Sequence, residues 1–181
     1  YPARRCGWRD IMDGSYAVLF LLAGLTDMKL NHCATGCLAG RDIAAYASLS
    51  YGNVLFQDET IGTEGYLRYD FGRAWGPFQP AIGVSLTDDG DAWFGIGATW
   101  TANFARDRGY VQMSFLPGFH SRGDGPDIGQ PLEFRSGAEI GYEARNGWRI
   151  GLSYDHRSNG GLDDLNPGLE TLQIRVQVPV R

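Results

Sequence analysis

Residues 170–180 read Glu170, Thr171, Leu172, Gln173, Ile174, Arg175, Val176, Gln177, Val178, Pro179, Val180. From Leu172 on, the even positions are all apolar, while the odd ones from Thr171 to Gln177 are Thr, Gln, Arg and Gln. An extended chain turns successive side chains to opposite faces, so this stretch makes one greasy face and one polar face. The same parity recurs upstream. Leu132, Phe134, Ala138, Ile140 and Tyr142 oppose Glu133, Arg135, Glu139 and Glu143. Phe78, Pro80, Ile82, Val84 and Leu86 oppose Gln79, Ala81, Gly83 and Ser85. Between them, Phe94, Ile96, Ala98 and Trp100 oppose Gly and Thr, with Trp93 the exception.

Extending this rhythm along the chain predicts eight strands, near 42–56, 63–73, 77–87, 91–104, 109–119, 131–144, 147–158 and 170–180. The separators carry turn-forming residues: Asp88 to Asp91, Arg106 to Gly109, Arg145 to Gly147, and the longer stretch from Gly118 to Gln130. Asn146 followed by Gly147 is a short-hairpin signal.

Alternation alone does not separate a soluble sandwich from a membrane barrel, since both have one apolar face. Two features favour the barrel. The polar face mixes Gly and Ser with charges of both signs, as Glu133, Arg135 and Glu139 do, which suits the packed lumen of a small barrel. The apolar stripes also tend to end in Trp or Tyr (Trp100, Tyr142, Trp148, Tyr154), as an interfacial aromatic belt would. The expectation is an all-β protein, an eight-stranded antiparallel transmembrane up-and-down β-barrel over residues 42–181.

Composition agrees. The 181 residues include 26 Gly and 13% aromatics, and Arg is the main cation. A net charge of −5 offers no basic field, so nucleic acid is excluded as a partner. The longest apolar run, Ala17 to Leu25, falls short of the roughly 20 residues of a spanning helix.

Residues 1–41 form an N-terminal extension of different character. They hold Cys6, Cys33 and Cys37, the basic pair Arg4 and Arg5, and the Ala17–Leu25 run. That run reads either as a signal-peptide core or as a first strand. The cysteines read either as a periplasmic disulfide with one thiol left over or as unpaired thiols. Any homodimer or protein partner would be held through this segment.

Chemistry concentrates near the C-terminus. His156 and Ser158 are two apart, so on a strand they share a face and continue the apolar series Trp148, Ile150, Leu152 and Tyr154. Glu170 opens the apolar series of the final strand. A Glu and a His on a lipid-facing wall cost free energy unless they pair, so they call for a reason. A hydroxyl beside an imidazole beside a carboxylate is the arrangement that activates a nucleophile. The plainer reading is that His156 and Ser158 merely mark a strand end at the headgroups. His120, His32 and the triplet Arg122, Gly123, Asp124 read as incidental loop features.

The string His156, Ser158, Asn159 and Gly161, followed by Asn166, Gly168 and Glu170, resembles the signature of the outer-membrane lipid A 3-O-deacylases (PagL type). The resemblance implies Ser158 as nucleophile, His156 as general base and then acid, and Glu170 as the orienting carboxylate. It implies oxyanion stabilisation at Asn159 with backbone N–H groups, and loop-shaping roles for Gly161, Asn166 and Gly168. The implied partners are lipid A, or lipopolysaccharide, and the surrounding outer-membrane lipids; no cofactor and no metal is implied. The implied location is the bacterial outer membrane. An outer-membrane phospholipase and a non-catalytic accessory barrel are the competing expectations.

Overall fold

The computed structural model describes residues 14–180. Cys6 and the Arg4–Arg5 pair therefore lie outside the described residues.

Eight antiparallel strands close into a barrel: β2 (Ala45–Phe56), β3 (Glu59–Asp70), β5 (Gln79–Thr87), β6 (Ala92–Phe104), β7 (Gly109–Ser121), β8 (Leu132–Glu143), β9 (Arg149–Ser158) and β10 (Leu169–Val180). Each strand pairs with its neighbours in sequence, and β10 returns to β2, with Val180 opposite Ala45 and Glu170 opposite Leu55. Closure leaves no unpaired edge, which is what a sheet surrounded by hydrocarbon requires. A short ribbon, β1 (Gly40–Asp42) with β4 (Arg73–Trp75), lies outside the barrel ladder.

The strands sit within a few residues of their predicted places. The largest shift is at β3, which begins at Glu59 instead of 63, because Gln57 and Asp58 both adopt positive φ and close a two-residue turn. Asp is tolerated in that conformation and Gln less so, and no Gly marks the position. Gly147 does adopt positive φ in the turn from Ala144 to Trp148, as its sequence context suggests.

Polarity is inverted relative to a water-soluble protein. Ile96, Phe119, Ile140, Leu152 and Ile174 are each more than half exposed on the outer wall, whereas Arg135, Arg157 and Arg175 are buried in the lumen. These charges fill the middle of the lumen. Arg135 Nη2 donates to Glu64 Oε1 at 2.7 Å and to Asp155 Oδ2 at 2.8 Å, and its guanidinium lies 3.9 Å from the centre of the Tyr66 ring. Arg175 donates to Glu139 Oε2 at 2.7 Å and to Asp155 at 3.3 Å. Charges from β3, β8, β9 and β10 thus meet at the barrel centre. A network of this kind disfavours a register slip, since a one-residue shift would turn these groups outward.

The Ala17–Leu25 run is neither a strand nor buried in the lumen: it forms the helix α1 (Ser15–Asp27). Six strong helix formers among the nine residues (Ala17, Leu19, Leu21, Leu22, Ala23 and Leu25) and the absence of a strand-like polar alternation explain this outcome. No helix among the described residues is long and apolar enough to cross a membrane by itself. α1 lies against the outer wall over β6, β7 and β8. Phe20 meets Phe78 and Phe115, with ring centres 5.5 and 6.3 Å away, and Trp100 Nε1 donates to Asp27 Oδ2 at 2.9 Å. Its other side presents Val18, Leu19, Leu22 and Leu25 outward. Of the four residues read as belt aromatics, Tyr142 and Trp148 are exposed, while Trp100 is bonded to α1 and Tyr154 sits 5.7 Å from the Tyr16 ring. A π-helical turn (Met28–His32) and a 3-10 turn (Cys33–Thr35) follow, and a disulfide joins Cys33 to Cys37. The reading of unpaired thiols therefore does not hold for that pair.

Candidate active site

The two longest connections, residues 122–131 and 159–168, leave the barrel at the same end as the tips of β9 and β10. In the antiparallel register of β9 with β10, Glu170 stands directly opposite His156. Cross-strand partners share a face, so the parity read from the sequence puts the imidazole and the carboxylate side by side. Their separation is 3.2 Å, from Nδ1 to Oε1. Ser158 follows His156 by two on the same face and pairs laterally with Phe134 of β8, while His156 pairs with Ser136. His156, Ser158 and Glu170 share the outward set with Ile150, Leu152, Leu172 and Ile174, all of which are exposed. His156 and Ser158 differ from that set: each is only 4% exposed, because residues outside the barrel cover this corner of the wall.

With Nδ1–H donated to a carboxylate, Nε2 becomes the basic nitrogen of the ring. The arrangement can therefore take a proton from a hydroxyl on the same face, and the neighbouring carboxylate stabilises the imidazolium that results.

The loop after β9 is built to hold this corner still. Asn159 is fully buried; its Nδ2 donates to Leu165 O at 2.7 Å and to Ile128 O at 3.5 Å, and its Oδ1 accepts from Gly161 N at 3.0 Å. Asn166 Oδ1 accepts from Asn159 N at 3.0 Å. The side chain of Asn159 is thus committed to backbone groups of the loop. Gly161 has φ +77 and Gly168 φ +71, a conformation that costs little only for glycine. At Gly168 space is also limiting: a Cβ there would lie 2.8 Å from His156 Cε1. The absence of a side chain at 168 lets the backbone back directly onto the imidazole.

Two contributors escaped the sequence reading. One is the 122–131 loop, from which Ile128 packs with Val54 and Leu169 to cap the barrel end, and Gln130 Nε2 bonds Leu162 O at 2.8 Å. Ile128 was the only signal, a lone large apolar side chain in a stretch of Gly, Pro and polar residues. The other is α1, whose N-terminal end lies over Ser158. His120 is also not a loop residue: it belongs to β7, is buried, and lies 3.6 Å from Asp91.

A family model described as lipid A 3-O-deacylase (PagL) matches residues 45–179. Among curated proteins none matches the sequence. Among solved structures, the crystal structure of the outer membrane enzyme PagL is similar at TM-score 0.63 and 19% identity, over 75% of this chain and 99% of that one. A designed transmembrane β-barrel is similar at TM-score 0.56 and 11% identity, over 77% and 98%. Neisserial surface protein A is similar at TM-score 0.51 and 10% identity, over 78% and 99%. At these identities the structural likenesses bear on the barrel fold alone.

Proposed function

The chain belongs to the lipid A 3-O-deacylase (PagL) family, and from that premise we propose that Ser158, His156 and Glu170 are its hydrolytic triad, acting on the 3-O-linked acyl ester of lipid A in the bacterial outer membrane. The observation that carries the reading is the 3.2 Å contact of His156 Nδ1 with Glu170 Oε1, on the strand face that also holds Ser158.

Ser158 Oγ attacks the ester carbonyl as His156 Nε2 takes its proton, with Glu170 holding the imidazolium in place. Collapse of the tetrahedral adduct breaks the bond to the sugar oxygen, which leaves with the proton from His156. The acyl group remains on Ser158 until a water, deprotonated by His156, releases it as a free fatty acid. The negative charge on the adduct oxygen falls to the N–H of Gly160 in the turn from Asn159 to Gly161, since Asn159 N already donates to Asn166 Oδ1 and Gly161 N to Asn159 Oδ1. Because the Asn159 side chain already bonds Leu165 O and Gly161 N, its contribution is to hold that turn in shape. The outward face suits the substrate, which arrives sideways from the leaflet with its acyl chains in hydrocarbon.

Purified lipopolysaccharide tests this reading. The wild-type protein should release 3-hydroxy fatty acid from it, and Ser158→Ala should not. Release of acyl chains from phospholipid alone would assign the site to another esterase.

A further inference from the structure

Resting on the proposed triad, we infer that α1 is the outer wall of the pocket for the acyl chain that Ser158 cleaves, with Ala17 deciding how much chain the pocket admits. Ser158 points to the side of the barrel where its neighbours are open, yet it is itself nearly inaccessible. Beside it lies a cavity of about 190 Å³, bounded by Gly14 and Ala17 from the helix side and by Phe115, Phe134 and Ser158 from the barrel side. The two phenylalanine rings stack nearly parallel, 7° apart with centres at 5.9 Å, and make a flat apolar floor leading away from the nucleophile.

An ester can react only with its carbonyl carbon at Ser158 Oγ, so the chain bonded to that carbon must run along whatever surface adjoins the hydroxyl. Here that surface is the phenylalanine floor under α1. Without the helix the floor would be an open strip of barrel wall facing lipid, which accepts chains of any length. With it, the chain enters a roofed pocket. At about 190 Å³ the pocket is smaller than the roughly 300–1,000 Å³ of ordinary small-molecule sites. It therefore holds only the part of the chain next to the carbonyl, and a longer chain must press against the helix.

α1 is placed to resist that pressure. Tyr16 packs on Tyr154, Phe20 on Phe78 and Phe115, and Asp27 is bonded to Trp100. Ala17 is the residue within α1 that lines the cavity together with Ser158, and in sequence it falls between the two anchoring rings of Tyr16 and Phe20. The helix also lies outside residues 45–179, the part matched by the family model.

The test uses the full chain in detergent micelles, with p-nitrophenyl butyrate and p-nitrophenyl laurate as probes. Ala17→Phe narrows the pocket from the helix side but leaves room beside Ser158 for a short chain, and its kcat/KM for laurate should fall by at least about 10-fold, the lower end of what one mismatched methylene costs a pocket. Butyrate hydrolysis should fall by less, so that the laurate-to-butyrate ratio drops. Ala17→Gly should move the laurate-to-butyrate ratio the other way, which keeps the inference testable if the Phe variant fails to insert. Leu22→Phe, on the exposed side of the helix, should change neither ester. An Ala17 series in which the ratio stays constant, both esters falling by the same factor included, overturns the inference. Retention of ester hydrolysis by Ser158→Ala would instead overturn the functional reading on which it rests.

Discussion

His156 and Glu170 face one another across the β9–β10 ladder, with the ring Nδ1 3.2 Å from the carboxylate Oε1, although fourteen residues of chain separate them. The contact exists because the intervening loop returns the chain in one particular register. A shift of one residue would send Glu170 into the lumen and leave the imidazole alone on an apolar wall.

Replacing Glu170 by Gln keeps the shape of this contact and removes its charge. The amide can bond Nδ1 in either tautomer, so the imidazolium loses both its stabilisation and its fixed orientation. Ester hydrolysis should fall by up to about 10⁴-fold in kcat, with KM little changed. Steady-state kinetics on a soluble ester checks this, and a large change in KM alone would show that Glu170 acts in binding.

Gly168→Ala should act on the same ring by a different route. Its positive φ is unfavourable for a side chain, and the new methyl would press on His156 Cε1. The cost in stability should be about 1–3 kcal/mol, the usual range for such backbone strain. The loss in kcat should exceed what that cost explains, because the ring itself is displaced. Unfolding in urea alongside kinetics separates the two effects.

Asn159→Ala removes the bonds to Leu165 O and Gly161 N and leaves those backbone groups to find other partners. The barrel should still form, since these bonds join loop to loop. Activity should drop, and proteolysis within 159–168 should become faster. An equally resistant loop would show that the Asn159 bonds do not hold it.

Arg135 is the test of the lumen. Arg135→Met leaves Glu64 and Asp155 without one of their counter-charges at the barrel centre. Breaking a buried pair by removing one partner costs about 3–5 kcal/mol. The variant should lose its heat-modifiable gel mobility at a lower urea concentration than the wild type. Unchanged resistance would mean that Arg157 and Arg175 compensate fully.

The barrel was legible because a closed sheet in lipid imposes strict alternation, and strands such as β10 display it without interruption. The positions of His156, Ser158 and Glu170 were legible for the same reason: parity alone puts them on one face. Contacts between segments distant in sequence were not. Nothing in the Ala17–Leu25 run says that it will lie along β6 to β8, because an apolar helix suits lipid on every side and its orientation is decided by rings such as Phe115 and Tyr154. The part played by Ile128 was hidden likewise, since the cap it forms with Val54 and Leu169 joins three separate loops and strands. The two-residue turn at Gln57 and Asp58 was missed because neither residue is the Gly or Asn that usually announces such a turn.

The most direct measurement is mass spectrometry of lipid A from cells expressing either the wild-type chain or Ser158→Ala at matched levels of folded barrel. The account requires the wild type to yield lipid A lighter by one 3-hydroxyacyl group, and Ser158→Ala to leave lipid A intact. Lipid A that loses the same chain in both cultures would contradict the assignment of Ser158 as the nucleophile.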